Sequence, residues 1–143
     1  VVEGAYRLII EELPVRTPDG AMLNFALRMR LPIFVSATEK IIDRSIEKVE
    51  IRDGNLLVSV NNDGNTHITV SKIRAVGLDG SGVKSFSKEK PGLHILAGSS
   101  KTYAMDWSQE DCMATRSVKI EVEIDREVIE STLDIDQEIC TVN

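Results

Sequence analysis

From Leu23 to Val35 every odd position is apolar: Leu23, Phe25, Leu27, Met29, Leu31, Ile33 and Val35. The even positions between them include Asn24, Arg28, Arg30 and Pro32. A period of two belongs to a β-strand with one apolar and one polar face. An ordinary strand runs about 5 or 6 residues, and this alternation lasts roughly twice as long. The question it raises is what needs so long an apolar edge.

Strand patterns fill most of the remaining chain. GAYRLIIEEL lies before the long stretch, across the turn PVRTPDG, and the two together read as a hairpin with a loop. Around TEKIIDR the alternation weakens and charge rises, which marks a linker between Ala37 and Arg44. Then come SIEKVEI, NLLVSVN, THITVSKIRAVG, VKSFS, GLHILAGSSKTYAMDW, SVKIEVEID and EVIESTLDID, punctuated by DG, NNDGN, DGSG and KPG. Seven short strands at this spacing predict an immunoglobulin-like β-sandwich. The expected fold class is therefore all-β, with a hairpin over 1–36, a linker over 37–44 and a sandwich over 45–143. The one stretch compatible with a helix is Thr38 to Ile46, and no internal repeat is visible.

Composition narrows the classes. A chain of 143 residues with 42% hydrophobic content has enough apolar material for one domain or two small ones. No run approaches the roughly 18 apolar residues of a membrane span, so membrane insertion is not expected. No basic segment followed by an apolar one opens the chain, so an export signal is either already removed or was never there. A net charge of −6 leaves no basic excess to displace counterions, which argues against nucleic acid as a partner.

The search for catalytic chemistry is negative. There is no G-x-S-x-G elbow, P-loop, H-E-x-x-H or Rossmann glycine pattern, and the chain reads as a non-enzyme with no cofactor. Asp125, Asp134 and Asp136 alternate with Ile124 and Ile135, as on a solvated strand face. NNDGNTH breaks the spacing of a calcium loop and reads as a turn. His67 and His94 lack a nearby Cys or Ser, and a structural role for His94 is expected over that of a base. Two cysteines and two distant histidines make a poor metal set. If the last two strands turn near Arg126, Cys112 and Cys140 come to the open end of that hairpin. A cross-strand disulfide and a pair of buried free thiols then remain as alternatives.

YRLIIEELP, LNFALRMRLPIFVSA, NNDGNTHITV and HILAGSSKTYAMDW together resemble periplasmic pilus-assembly chaperones of the chaperone–usher pathway, especially the archaic, spore-coat-like class. The resemblance implies two immunoglobulin-like domains, with YRLIIEELP and LNFALRMRLPIFV as the last two strands, F and G, of the first. That domain's five or more earlier strands have no counterpart here, so the expectation is a fragment or a chain whose N-terminal part was cleaved or left out. It also implies an oxidising compartment, in which Cys112 and Cys140 would be bridged.

In such chaperones the G strand is lent to pilus subunits that lack a final strand of their own, before delivery to an outer-membrane usher. The resemblance assigns Leu23, Phe25, Leu27 and Met29 as subunit-binding anchors, and turns Leu31, Ile33 and Val35 toward the chaperone's own core. It assigns Arg7, and after it Arg30, to grip the subunit's terminal carboxylate, a group that arginine binds bidentately. The chain departs from the best-known class at Pro32, where that class carries a lysine. The alternative expectation is a structural or adhesive immunoglobulin-like module that self-associates, as a homodimer, through the 1–36 hairpin. A hydrolase is the third class, and no motif supports it.

Overall fold

The computed structural model describes residues 1–13 and 25–141. A two-stranded antiparallel sheet comes first, β1 (Gly4–Glu11) with β2 (Arg28–Val35), in register from Gly4 opposite Val35 to Glu11 opposite Arg28. Eight strands follow: β3 (Arg44–Arg52), β4 (Asn55–Asn62), β5 (Ile68–Leu78), β6 (Lys84–Pro91), β7 (His94–Ile95), β8 (Ser99–Asp106), β9 (Ser117–Ile124) and β10 (Glu127–Asp134). Two sheets form from them, one ordered β3-β4-β8 and one ordered β10-β9-β5-β6, with β7 pairing to β5. This is the all-β, immunoglobulin-like sandwich that the alternation predicts.

The core lies between the two sheets and is written in the period of two. Leu56, Val58 and Val60 of β4 face Val118, Ile120, Val122 and Ile124 of β9, all at most 1% exposed. Each such side chain, fully buried, contributes about 1.5–3 kcal/mol. Two-residue turns close β3 to β4 at Asp53–Gly54 and β9 to β10 at Asp125–Arg126, with positive φ at all four positions. That geometry matches the twist of the paired strands. At the sandwich's open side β6 and β8 are both edge strands. Lys88 Nζ and Lys90 Nζ donate to the outward carbonyls of Asp106 (2.6 Å) and Ala104 (2.7 Å), so charge occupies an edge that could otherwise pair with another chain.

The helix and one of the strands are placed differently from what the sequence allowed. Thr38 to Ile46 is not helical: it leads as irregular chain into β3, whose Ile46 packs against the core. A helix instead covers Gln109–Ala114, here α1, with Ser108 accepting from the Asp111 amide at its N-cap and two carboxylates in its first turn. Apolar periodicity is too short there to show, but Ser108 followed three residues later by an acid is a capping signal in the sequence. GLHILAGSSKTYAMDW, read as one strand, is broken by a turn at Gly98 (φ 66°) into β7 and β8.

Cys112 of α1 and Cys140 of a terminal 3-10 helix (Gln137–Thr141) form a disulfide, with Cα atoms 5.6 Å apart across 28 residues. Both are buried. Closing a loop of that length removes denatured-state entropy worth about 3–4 kcal/mol. Reduction, or replacement of both cysteines by Ser, is therefore expected to lower the unfolding free energy by about that amount in a denaturant titration. Thiol counting on unreduced, denatured protein should find no free thiol among Cys112 and Cys140.

Candidate functional site

The hairpin β1–β2 is built unlike the sandwich. Directly paired residues of an antiparallel ladder share a face. The register therefore gathers Tyr6, Leu8 and Ile10 with Met29, Leu31, Ile33 and Val35 on one face, and Arg7, Ile9 and Glu11 with Arg28, Arg30 and Pro32 on the other. All seven residues of the first face are apolar or aromatic, and all are between 40% and 64% exposed. Among the described residues no second sheet covers them. Leu31, Ile33 and Val35, expected to face a core of the chaperone's own, lie on this open face.

Pairing continues past β2, since the Glu12 amide donates to the Leu27 carbonyl at 2.8 Å. Leu27 and Phe25 extend the odd-numbered series and are 58% and 82% exposed. The expected anchors Phe25, Leu27 and Met29 thus stand free of the sandwich, while Leu23 lies outside the described residues. The outer edge of β2 has no strand beside it among the described residues.

Arg7 and Arg30 come onto the same polar face, Arg7 opposite Pro32 and Arg30 opposite Ile9. They are diagonal neighbours, a spacing of roughly 7–8 Å. Arg28 is neutralised by Glu11 at 2.7 Å, whereas Arg7 and Arg30 have no ion-pair partner among the described residues.

The base of the hairpin is locked to the sandwich by a cluster that the sequence does not announce. Glu3, its side chain 4% exposed, accepts from the His67 amide (2.9 Å), the His67 ring Nδ1 (2.6 Å) and the Thr66 hydroxyl (2.9 Å). The Phe34 ring stacks on His67 with centroids 3.7 Å apart, and His94 meets both rings edge-on, at 5.5 Å from Phe34 and 5.3 Å from His67. Asn65 adds backbone anchors, donating to the carbonyls of Val1 (3.1 Å) and Glu39 (2.8 Å) and accepting from the Ile41 amide (2.7 Å). The buried Asn62 braces the same loop from inside, donating to the carbonyls of Thr66 (2.9 Å) and Ile95 (3.0 Å). NNDGNTH is a turn, as read, but each of its polar side chains at 62, 65, 66 and 67 holds another segment in place.

His67 Nδ1 is taken up by Glu3, and His94 Nδ1 lies 3.1 Å from the Thr69 hydroxyl. Asp125 accepts from the Thr69 amide (3.0 Å) and pairs with Arg44 (3.2 Å), so it is more than a solvated strand-face charge. Among the described residues no group of three His, Cys, Asp or Glu is placed to hold a metal ion, and no helix is long and apolar enough to cross a membrane.

No family model matches the chain, and no curated protein does. Among solved structures it is similar in part to the ligand binding region of Serine-glutamate repeat protein A (SgrA) of Enterococcus faecium. The identity is 14% and the TM-score 0.38, over 64% of this chain and 89% of that one.

Burial alone would raise the Glu3 pKa, but the hydrogen bonds from the His67 amide, the His67 ring and the Thr66 hydroxyl outweigh it and hold the carboxyl below its usual value. A depressed carboxylate contributes stability above its unfolded pKa and loses it as pH falls through the folded one. The junction is therefore intact at neutral pH and is expected to loosen below about pH 4.5. Hydrogen exchange at the His67 amide is the measurement. Glu3→Gln keeps the shape but loses charge-assisted bonds, and should speed that exchange by about 10- to 100-fold at pH 7.

Proposed function

We propose that this chain is a non-enzymatic periplasmic chaperone that holds pilus subunits by lending them the strand that runs through Phe25, Leu27 and Met29. The observation that supports this most is the hairpin's uncovered apolar face beside an unpaired strand edge. A subunit lacking the last strand of its own sandwich presents the complement, a groove of unpaired backbone with its core open. Strand addition satisfies both, with main-chain hydrogen bonds along the edge and alternate side chains in the groove. Each anchor, fully buried, contributes about 1.5–3 kcal/mol. The length of the alternation at 23–35 follows from this, because affinity grows with the number of paired residues.

On the opposite face Arg7 and Arg30 would take the subunit's terminal carboxylate, with the departure at Pro32 placing that task on arginine alone. Delivery to an outer-membrane usher completes the reading, without nucleotide or cofactor. The resemblance of YRLIIEELP and LNFALRMRLPIFV to the chaperone–usher family supports this choice of partner.

The same open face favours a second reading, a structural or adhesive module in which the hairpins of two copies cover one another. An isolated two-stranded hairpin is marginal in water, and symmetric exchange is a low-cost way to cover it.

Phe25→Glu separates the readings. Phe25 is 82% exposed, so its replacement should change the unfolding free energy by no more than about 0.5 kcal/mol. Inserted in a subunit groove, however, the carboxylate would be buried without a partner and capture should be lost on periplasmic co-expression. Leu31→Glu, in the middle of the open face, should instead convert a self-associated pair to monomer by light scattering. A chain that stays monomeric at micromolar concentration and recovers no subunit on co-expression defeats both.

A further inference from the structure

The two outer edges of the β1–β2 hairpin are chemically unequal. The Glu12 amide donates to the Leu27 carbonyl, so Glu12 and Leu27 are a hydrogen-bonded pair of the ladder. Such pairs alternate with pairs that exchange no bond and turn their amides and carbonyls outward. The unbroken register therefore turns the backbone of Ala5, Arg7, Ile9 and Glu11 to the outer edge of β1, and that of Arg28, Arg30, Pro32 and Phe34 to the outer edge of β2. Glu3, next in the odd-numbered series, agrees: its amide donates away from β2, to the Asn65 carbonyl at 2.9 Å. Proline has no amide hydrogen, so a strand laid beside β2 meets a missing donor at Pro32. The edge of β1 is complete from Ala5 to Glu11, and no strand lies beside it among the described residues.

We propose that the outer edge of β1 pairs antiparallel with β1 of a second copy, about a two-fold axis at Ile9. This rests on the self-associating reading above and names the edge, not the open face, as the contact. Only registers that set outward residues against outward residues can form the bonds. Centring on Arg7 or on Glu11 sets like charges directly opposite each other, which is destabilising. Centring on Leu8 or on Ile10 sets a charge opposite Ile9. Centring on Ile9 sets each Arg7 opposite the other copy's Glu11 and, on the apolar face, each Leu8 opposite Ile10. Arg7 has no ion-pair partner among the described residues, and Glu11 meets Arg28 through Oε1, so its second oxygen can accept from the other copy. The joint sheet has four strands, where two alone are marginal. The hairpin bases, each held at Glu3, lie at its opposite ends, and β2 keeps its own outer edge.

The Ile9 amide takes no part in the hairpin, so Ile9→Pro removes only an outward donor, as Pro32 does on β2. Light scattering over a micromolar to millimolar series should show the chain pairing, and Ile9→Pro should weaken the pair at least about tenfold. Arg7→Glu, which sets carboxylates opposite one another, is expected to weaken it too, whereas Pro32→Val should leave it unchanged. Hydrogen exchange reads the edge directly. The amides of Leu8 and Ile10 should be protected at every concentration, in Ile9→Pro as well, and those of Arg7 and Glu11 only as the pair forms. A chain that stays monomeric across the series overturns the self-associating reading and this edge with it. A pair that resists Ile9→Pro but is broken by Leu31→Glu overturns the edge alone and moves the contact to the open face. Arg7 and Glu11 amides that stay fast in the wild-type pair overturn the edge whether or not the proline variant folds.

Discussion

Everything at the hairpin depends on one buried carboxylate. Two antiparallel strands with an open apolar face have no reason to hold a fixed position in water, and the short segment between Val35 and Arg44 would let them swing. Glu3 prevents this by accepting three hydrogen bonds from Thr66 and His67 while almost wholly removed from solvent. A carboxylate so placed has no equally good alternative in the undocked state other than water, and its charge strengthens each bond it accepts. The Phe34–His67 stack then covers the contact with apolar surface. The strand that carries the exposed anchors is held by its base and left free along its length.

On the proposed reading, that division between a fixed base and a free edge is what a strand donor would need. Affinity in strand addition comes from repetition along the edge, and a strand already extended and oriented loses less conformational entropy on pairing than a disordered segment does. The sandwich supplies the rigid body against which the strand is oriented. Its own edges are treated in the opposite way: Lys88 and Lys90 occupy the carbonyls of β8, and Arg44 links the β3 edge to Asp125 and Glu127 beside β10. The hairpin's outer edges have no strand beside them among the described residues, while charge lies on the β8 and β3 edges of the sandwich.

The far pole is organised by the disulfide. α1 is only six residues long and could not persist alone, so its position comes from Ser108 at its start, the bridge to Cys140 and the Lys88–Asp111 pair at 2.9 Å. Together these hold one wall of a cavity that Trp107 also lines. The bridge therefore shapes a concavity as well as stabilising the chain.

Alternation alone determined the strands. Leu56, Val58 and Val60, or Val118, Ile120, Val122 and Ile124, leave no other arrangement that buries them, because a shift of one residue would turn each set to water. The turn residues between them, and with them the all-β sandwich, followed from the same reading. The long odd-numbered series likewise marked the segment that stands exposed in the fold. What the sequence could not decide is what meets across distance. Neither Glu3 with His67, nor the two histidines with Phe34, nor Arg7 beside Arg30 is a local pattern, because each pairing is set by how strands distant in sequence align. Cys112 and Cys140 remained a choice between bridge and free thiols until α1 and the 3-10 helix brought them together. Whether an apolar face is covered is likewise a property of neighbours, so Leu31, Ile33 and Val35, which the resemblance turned toward a core, stand open in space. Local periodicity follows from backbone geometry, and contact follows only from the packing of the whole.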